Sequence, residues 1–208
     1  MRRKYYRLVT ALSVLSLAGL GLASWPTPGQ SQAAASMAVG QATAARAVLL
    51  GLLGTATSAS LVSTGISSTN SESDVAQLTG GIPSLLTAEA INAVTYSYSD
   101  EVDSMTSLGN LGLTVAGLSV TADSVVAQAS QPLGAAGSGS SYITNLAING
   151  VPIIVTGSPN QTIPVAGGQI VLNEQTVSST GSTLVNAIHV ALYGVADVVL
   201  ASANASIS

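Results

Sequence analysis

His189 is the only histidine in the chain, and Asp197 lies eight residues beyond it among many serines. A histidine, a carboxylate and a serine are the residue types of a hydrolase triad, in which the acid orients the base and the base activates a hydroxyl. The chain has no Gly-x-Ser-x-Gly elbow to present such a serine. His189 alternates with Ala187 and Ala191, opposite Ile188, Val190 and Leu192, which is the spacing of a strand. The residues therefore predict a hydrogen-bonded or exposed strand histidine and no catalytic residue. An extracellular hydrolase built on His189 and Asp197 is the rival reading.

Asp100, Glu101 and Asp103 form the densest acidic cluster. Carboxylates at this spacing could contribute oxygens to Ca2+, but acids at alternate positions with a glycine at the sixth, as an EF-hand loop requires, are missing. A solvated turn is the simpler expectation, and Glu72 with Asp74 predicts another. One histidine and no cysteine leave too few nitrogen and sulfur ligands for a transition metal. No glycine-rich loop precedes a lysine, so no phosphate cradle is expected, and no cofactor is implied. Asn145, Asn149, Asn160, Asn173 and Glu174 could build a carbohydrate or peptide surface. As residue types they read more simply as turn formers and solvent-facing strand positions.

The elements that hold these groups are strands. Asn149-Gly150 separates ITNLAI from VPIIV, and Asn-Gly between apolar runs marks a hairpin because both residues tolerate positive φ. Turns at residues 157–160 and 166–168 lead into QTIPV and QIVLNEQ, and TLVNAIHVAL returns through Tyr193-Gly194 as VADVVLASANASI. About five strands within seventy residues predict an antiparallel sheet system. Earlier in the chain a strand is expected near residues 42–50, short strands in the Ser/Thr-rich stretch 58–73, and a flexible loop over the Gly/Ser-rich residues 134–141. A short pattern recurs from positions 87, 121 and 195. It reads Ala-acid, then a branched residue two places on, then Ala after two more: Ala88-Glu89, Ala122-Asp123 and Ala196-Asp197. Alternation of this kind is strand spacing, with Ala201, Ala203, Ala205 and Ile207 on one face of the last copy. The unequal intervals exclude a solenoid of fixed period and suit a sandwich of duplicated hairpins.

Arg2, Arg3, Lys4 and Arg7 precede a fifteen-residue apolar run at 8–22, shorter than the roughly 20 residues of a membrane-spanning helix. Basic, apolar and then small residues are the order of a secretory signal, with Ser31-Gln32-Ala33 as the expected cleavage site and Ala23 as its competitor. The expected organisation is a signal over 1–33 and a secreted all-β domain over 34–208. That domain keeps Arg46 alone against nine acidic residues, which excludes nucleic acid and anionic membrane surfaces as partners once the signal is removed. Without cysteine there is neither a disulfide framework nor a lipid-anchored thiol.

The series Ile143-Thr144-Asn145-Leu146, Ile148-Asn149-Gly150, Val151-Pro152-Ile153, Pro159-Asn160-Gln161-Thr162, Ile170-Val171-Leu172-Asn173-Glu174-Gln175 and Asn186-Ala187-Ile188-His189-Val190 resembles the bacterial secreted proteins called the choice-of-anchor P family. Ala196-Asp197-Val198-Val199 with Ala201-Ser202-Ala203 completes the series. The resemblance is strongest from about residue 141 to 208. It implies an exported surface or extracellular domain without an assigned enzymatic activity or catalytic residues. Its members carry C-terminal sorting segments; here only Ser208 follows Ile207, so release or association with other surface components is the expectation. The reading as a whole is a single sandwich-like, all-β domain after a cleaved signal helix, acting as a non-enzymatic structural or interaction protein outside the cell. An ice- or carbohydrate-binding protein is its other rival, suggested by abundant Ala, Ser, Thr and Gly. Pro152 and Pro164 cannot donate to a ladder, so their strands are expected at sheet edges, open to another copy or another surface protein.

Overall fold

A computed structural model describes residues 37–50, 56–178 and 181–208. The expected signal, over 1–33, lies outside the described residues. Thirteen strands and no helix occupy the described chain: β1 (Ala38–Leu50), β2 (Ala56–Ser63), β3 (Ser71–Ile82), β4 (Leu86–Ser97), β5 (Glu101–Val115), β6 (Leu118–Pro132), β7 (Ser138–Thr144), β8 (Ala147–Ile148), β9 (Val151–Pro152), β10 (Gln161–Val165), β11 (Gly168–Ser178), β12 (Ser182–Leu192) and β13 (Ala196–Ile207). All lie in the unit Ala35–Ser208.

Strands pair antiparallel with their neighbours in sequence, as short turns dictate. Sheet A has the order β10-β11-β12-β13-β1-β2, and sheet B the order β3-β4-β5-β6-β8-β9, with β7 also on β6. Two pairings depart from this: β8 passes β7 to pair with β6, and β13 pairs with β1 from the far end of the chain, where Ala38 meets Ile207 and Leu49 meets Ala196. The two sheets pack face to face, as the all-β sandwich reading requires. Their shared core is built from Ile170, Leu172, Ile188, Leu200, Leu108, Leu113 and Val120, with a lining of alanines. Ala201, Ala203, Ala205 and Ile207 face this core, as their alternation predicts. Small side chains let the sheets approach closely, so each contact buries little area and many share the stabilisation.

Alternation is nevertheless broken once across each sheet. In sheet A, consecutive residues point inward at Ala44-Ala45, Ala187-Ile188 and Leu200-Ala201, all fully buried, and Leu172-Asn173 does the same on β11. The register before and after each step is unchanged, so neighbouring strands switch faces together. The step is absorbed by left-handed backbone on alternate strands: Asn173 (φ 51°), Ala201 (φ 52°) and Val62 (φ 41°). Sheet B has its own crease, made instead from consecutive outward residues. There Ala88 and Ile91, Leu108 and Leu111, and Ala122 and Val125 are the buried pairs that flank it, with positive φ at Ala90, Asn110 and Asn145. Asparagine suits such positions, whereas alanine and especially valine do not, so the creases hold some backbone strain.

The recurring pattern acquires a meaning here that differs from plain alternation. In its first two copies the Ala, the branched residue and the last Ala all face the core, and the step between Ala and branched residue is the crease of sheet B. In the third copy Ala196, Val198 and Leu200 alternate regularly, and the crease falls later, at Ala201. The copies are therefore equivalent in two cases and not in the third.

Other expectations shift in detail. Glu72 and Asp74 lie on the exposed strand β3 and not in a turn, because pairing with Tyr96 and Val94 continues the ladder through them. Only the first half of 134–141 is a loop; residues 138–141 pair with β6. The strand expected at 42–50 starts earlier, at Ala38. Asn149 (φ 51°) and Gly150 (φ 75°) form the expected hairpin turn between β8 and β9. The strands bearing Pro152 and Pro164 are the last in sheet B and the first in sheet A, as their missing donors require.

Candidate functional site

The crease of sheet A assembles the one cluster in which the sequence-selected groups meet. His189 lies on β12 between Val171 of β11 and Val199 of β13 in register, on the face away from the core. Glu174 is three residues beyond Val171. Strict alternation would place it on the opposite face, but the left-handed turn at Asn173 returns it to the side of His189. The same step, at Ala187-Ile188, puts Asn186 and His189 on one face. Ala187 itself points into the core, so it does not flank His189 as its spacing suggests.

His189 is held from both sides. Its Nδ1 is 3.0 Å from both carboxylate oxygens of Glu174, and its Nε2 is 3.0 Å from Oδ2 of Asp197. The network continues on the other side of Glu174, where Asn186 Nδ2 donates to Oε2 at 2.6 Å, and Ser202 Oγ donates to Asn186 Oδ1 at 2.7 Å. Ionised carboxylates only accept, so both imidazole nitrogens satisfy their partners only as N–H donors, which is the imidazolium form. Burial by itself would lower the imidazole pKa. The hydrogen bonds to Asp197 and Glu174 and their two charges outweigh it, and the pKa is raised. The clamp is graded in exposure: His189 is 20 %, Glu174 30 % and Asp197 49 % accessible in its side chain.

This geometry differs from a triad in a definable way. A catalytic base needs one nitrogen on the orienting acid and the other on the nucleophile. Here Asp197 and Glu174 take both, and the network's hydroxyl, Ser202, bonds an amide two links from the ring. Glu174 was visible in the sequence only as one of the polar hairpin residues. The signal for its role was the adjacent inward pairs at Ala187-Ile188 and Leu200-Ala201, which announce a face change.

The other selected residues do not join this cluster. Asp100 sits in the turn before β5, while Glu101 and Asp103 share the outer face of β5 on either side of the buried Val102. Glu101 Oε1 accepts from Ser130 Oγ at 3.1 Å. Among the described residues no group of three or more acids or histidines is arranged to hold a metal ion, so the calcium reading of Asp100, Glu101 and Asp103 gains no ligand set. The polar set divides between the sheets. Asn145 donates to Asp123 at 2.6 Å in the crease of sheet B, and Asn149 accepts from the Ser119 amide at 2.9 Å. Asn160 accepts from the Gln175 amide at 3.0 Å, and the buried Asn173 donates to the Gly157 carbonyl at 2.9 Å. These are turn and crease residues in two places, not one binding surface. No protein-family model, no curated protein and no solved structure matches the chain.

Proposed function

We propose that the chain is a non-catalytic structural or interaction protein of the bacterial surface or extracellular space, of the choice-of-anchor P kind, and that it associates through the sheet edges at β9 and β10. The observation that carries this reading is the state of those edges. Each sheet ends on a short strand whose visible guard is a proline, Pro152 or Pro164. Around them Val151, Ile154 and Tyr142 are 61 %, 84 % and 64 % exposed, and no charged residue occurs between Gln128 and Gln161. Soluble proteins ordinarily protect edges with charge, lysine above all, because unpaired backbone groups recruit another chain. An apolar, uncharged edge suits β-augmentation by a second copy. The clamped imidazole of His189 supports the same reading, since it leaves no nitrogen to act as a base.

The test places lysine at Thr144 and Ile154 of the protein lacking residues 1–33 and compares sedimentation with the parent. The parent is expected to self-associate with rising concentration and the double variant to remain monomeric. A parent that is monomeric at every accessible concentration refutes the edge reading. Fractionation of the native host, with the protein expected in the medium or at the surface, tests the location separately.

A further inference from the structure

The outer face of sheet B carries a groove of about 480 Å3 that runs across four strands. Register builds it in two rows. Tyr96, Asp103, Ser130 and Ser138 follow one another from β4 to β7, and Val94, Met105, Gln128 and Ser140 lie beside them. Val94 and Met105 form an apolar strip, Tyr96 adds an aromatic ring, and hydroxyls, an amide and one carboxylate complete the lining. This is the composition of a small-molecule site, an apolar surface with a few converging polar groups, and its volume lies within the roughly 300–1,000 Å3 of such sites.

The polar groups are unequally committed. Six carboxylates among the described residues are engaged by neighbours: Asp74 by Asn92, Glu89 by Asn110, Glu101 by Ser130, Asp123 by Asn145, and Glu174 and Asp197 by His189, whereas Asp100, in its turn, is not. Among the described residues no such bond engages the Asp103 carboxylate, although it sits inside the groove. Gln128 is held loosely, donating to Met105 Sδ at 3.3 Å and accepting from Ser140 at 3.4 Å. Beside the groove Glu72 pairs with Tyr96 in register; its charge, followed by burial and the charge of Asp74, raises the pKa of the phenol and keeps its hydroxyl protonated.

We infer that this groove binds an uncharged saccharide, its hydroxyls donating to Asp103 and accepting from Ser138 and Gln128 while a ring face lies on Tyr96, Val94 and Met105. The Ser130 and Ser140 hydroxyls already donate to Glu101 and Gln128. A carboxylate inside the groove with Glu72 and Glu101 beside it repels anionic ligands such as uronates or phosphates. A cationic peptide would call for several carboxylates pointing inward, and the lining supplies one. Hydroxyl and amide groups that both donate and accept are instead matched to vicinal hydroxyls. The inference goes beyond the edge reading and does not depend on it.

Affinity electrophoresis of the protein lacking residues 1–33 tests it, in native gels containing a soluble β-glucan, xylan, galactomannan or dextran, with alginate as the anionic comparison. At least one of the four neutral polymers is expected to retard the protein, and alginate is not. Asp103→Asn, which keeps the shape of the side chain and an acceptor oxygen but removes the charge that strengthens the bond, should weaken retardation about tenfold. Tyr96→Ala, which removes the ring on which the sugar lies, should also weaken it. Gln169→Ala, on the outer face of sheet A, should migrate as the parent does. Absence of retardation in all four neutral gels overturns the proposal, as does undiminished retardation of both groove variants or retardation by alginate alone.

Discussion

Replacing His189 by glutamine tests the clamp across β11, β12 and β13 more directly than alanine, because glutamine fills similar space and can donate to only one carboxylate. Two charge-assisted hydrogen bonds are at stake, and each such bond is worth about 1.5–3 kcal/mol when buried. Asp197 is half exposed and Glu174 nearly a third, so solvent screening brings their contributions toward the ~0.2–1 kcal/mol of surface pairs. The sum expected for the protonated clamp is then about 1–3 kcal/mol. The pH dependence fixes its origin. The folded imidazole has a pKa above its ordinary value near ~6.5. Below the unfolded value both states hold the proton and the stabilisation is complete. As pH rises the unfolded state loses its proton first, and the contribution disappears as pH passes through the raised folded value. Urea denaturation at pH 5.5 and 8.5 should therefore show the parent losing stability with pH relative to His189→Gln. At pH 5.5 the variant should melt about 2–10 °C lower for a domain of this size. Parallel pH dependence in the two proteins would refute the clamp as a charged bridge.

Two further expectations concern the backbone. Ala90 is exposed and left-handed (φ 47°), so Ala90→Gly should relieve about 1–2 kcal/mol of strain against the ~0.5–1 kcal/mol that glycine costs through chain entropy. A rise of up to about 1 kcal/mol in the urea-derived stability is expected, and a fall would show that the crease of sheet B is not strained there. Gly168 opens β11 with its α-carbon against the Ala191 carbonyl of β12, and an added methyl group would collide with that backbone oxygen. Gly168→Ala should destabilise by about 1–3 kcal/mol, as overpacking does, and an unchanged melting temperature would show that the hairpin shifts freely.

The sequence announced the class of fold because turn chemistry is local. Asn149-Gly150, Ala166-Gly167 and Tyr193-Gly194 each specify a reversal by the conformations those residues permit, and each reversal is found. Pro152 and Pro164 announced edges for an equally local reason, the missing donor. The candidate site was less legible because it depends on a step in alternation. A period of two carries Glu174 away from His189, and the left-handed turn at Asn173 restores the contact. The same limit hid the meaning of the recurring pattern, whose Ala and branched residue face the core three places apart at Ala88 and Ile91. The groove on sheet B could not be read at all from spacing, since its lining comes from four strands whose alignment depends on register.

The pairing of β13 with β1 has a consequence for the order in which the chain can acquire its structure. Sheet B is a run of near neighbours and can form from its own turns, at small loop-closure cost. In sheet A, β2 and β1 pair with the rest only through β13, the last of the thirteen described strands to be made. The N-terminal hairpin can lay its alanine face on β4 and β5 of sheet B, but the free edge of β1 stays unpaired until Ile207 reaches Ala38. Closure of this long loop is the high-contact-order step, slow relative to the hairpins on either side. A chain stopped before β13 would lose one of the two central strands of sheet A, and with it the link between the β1-β2 hairpin and β10-β11-β12.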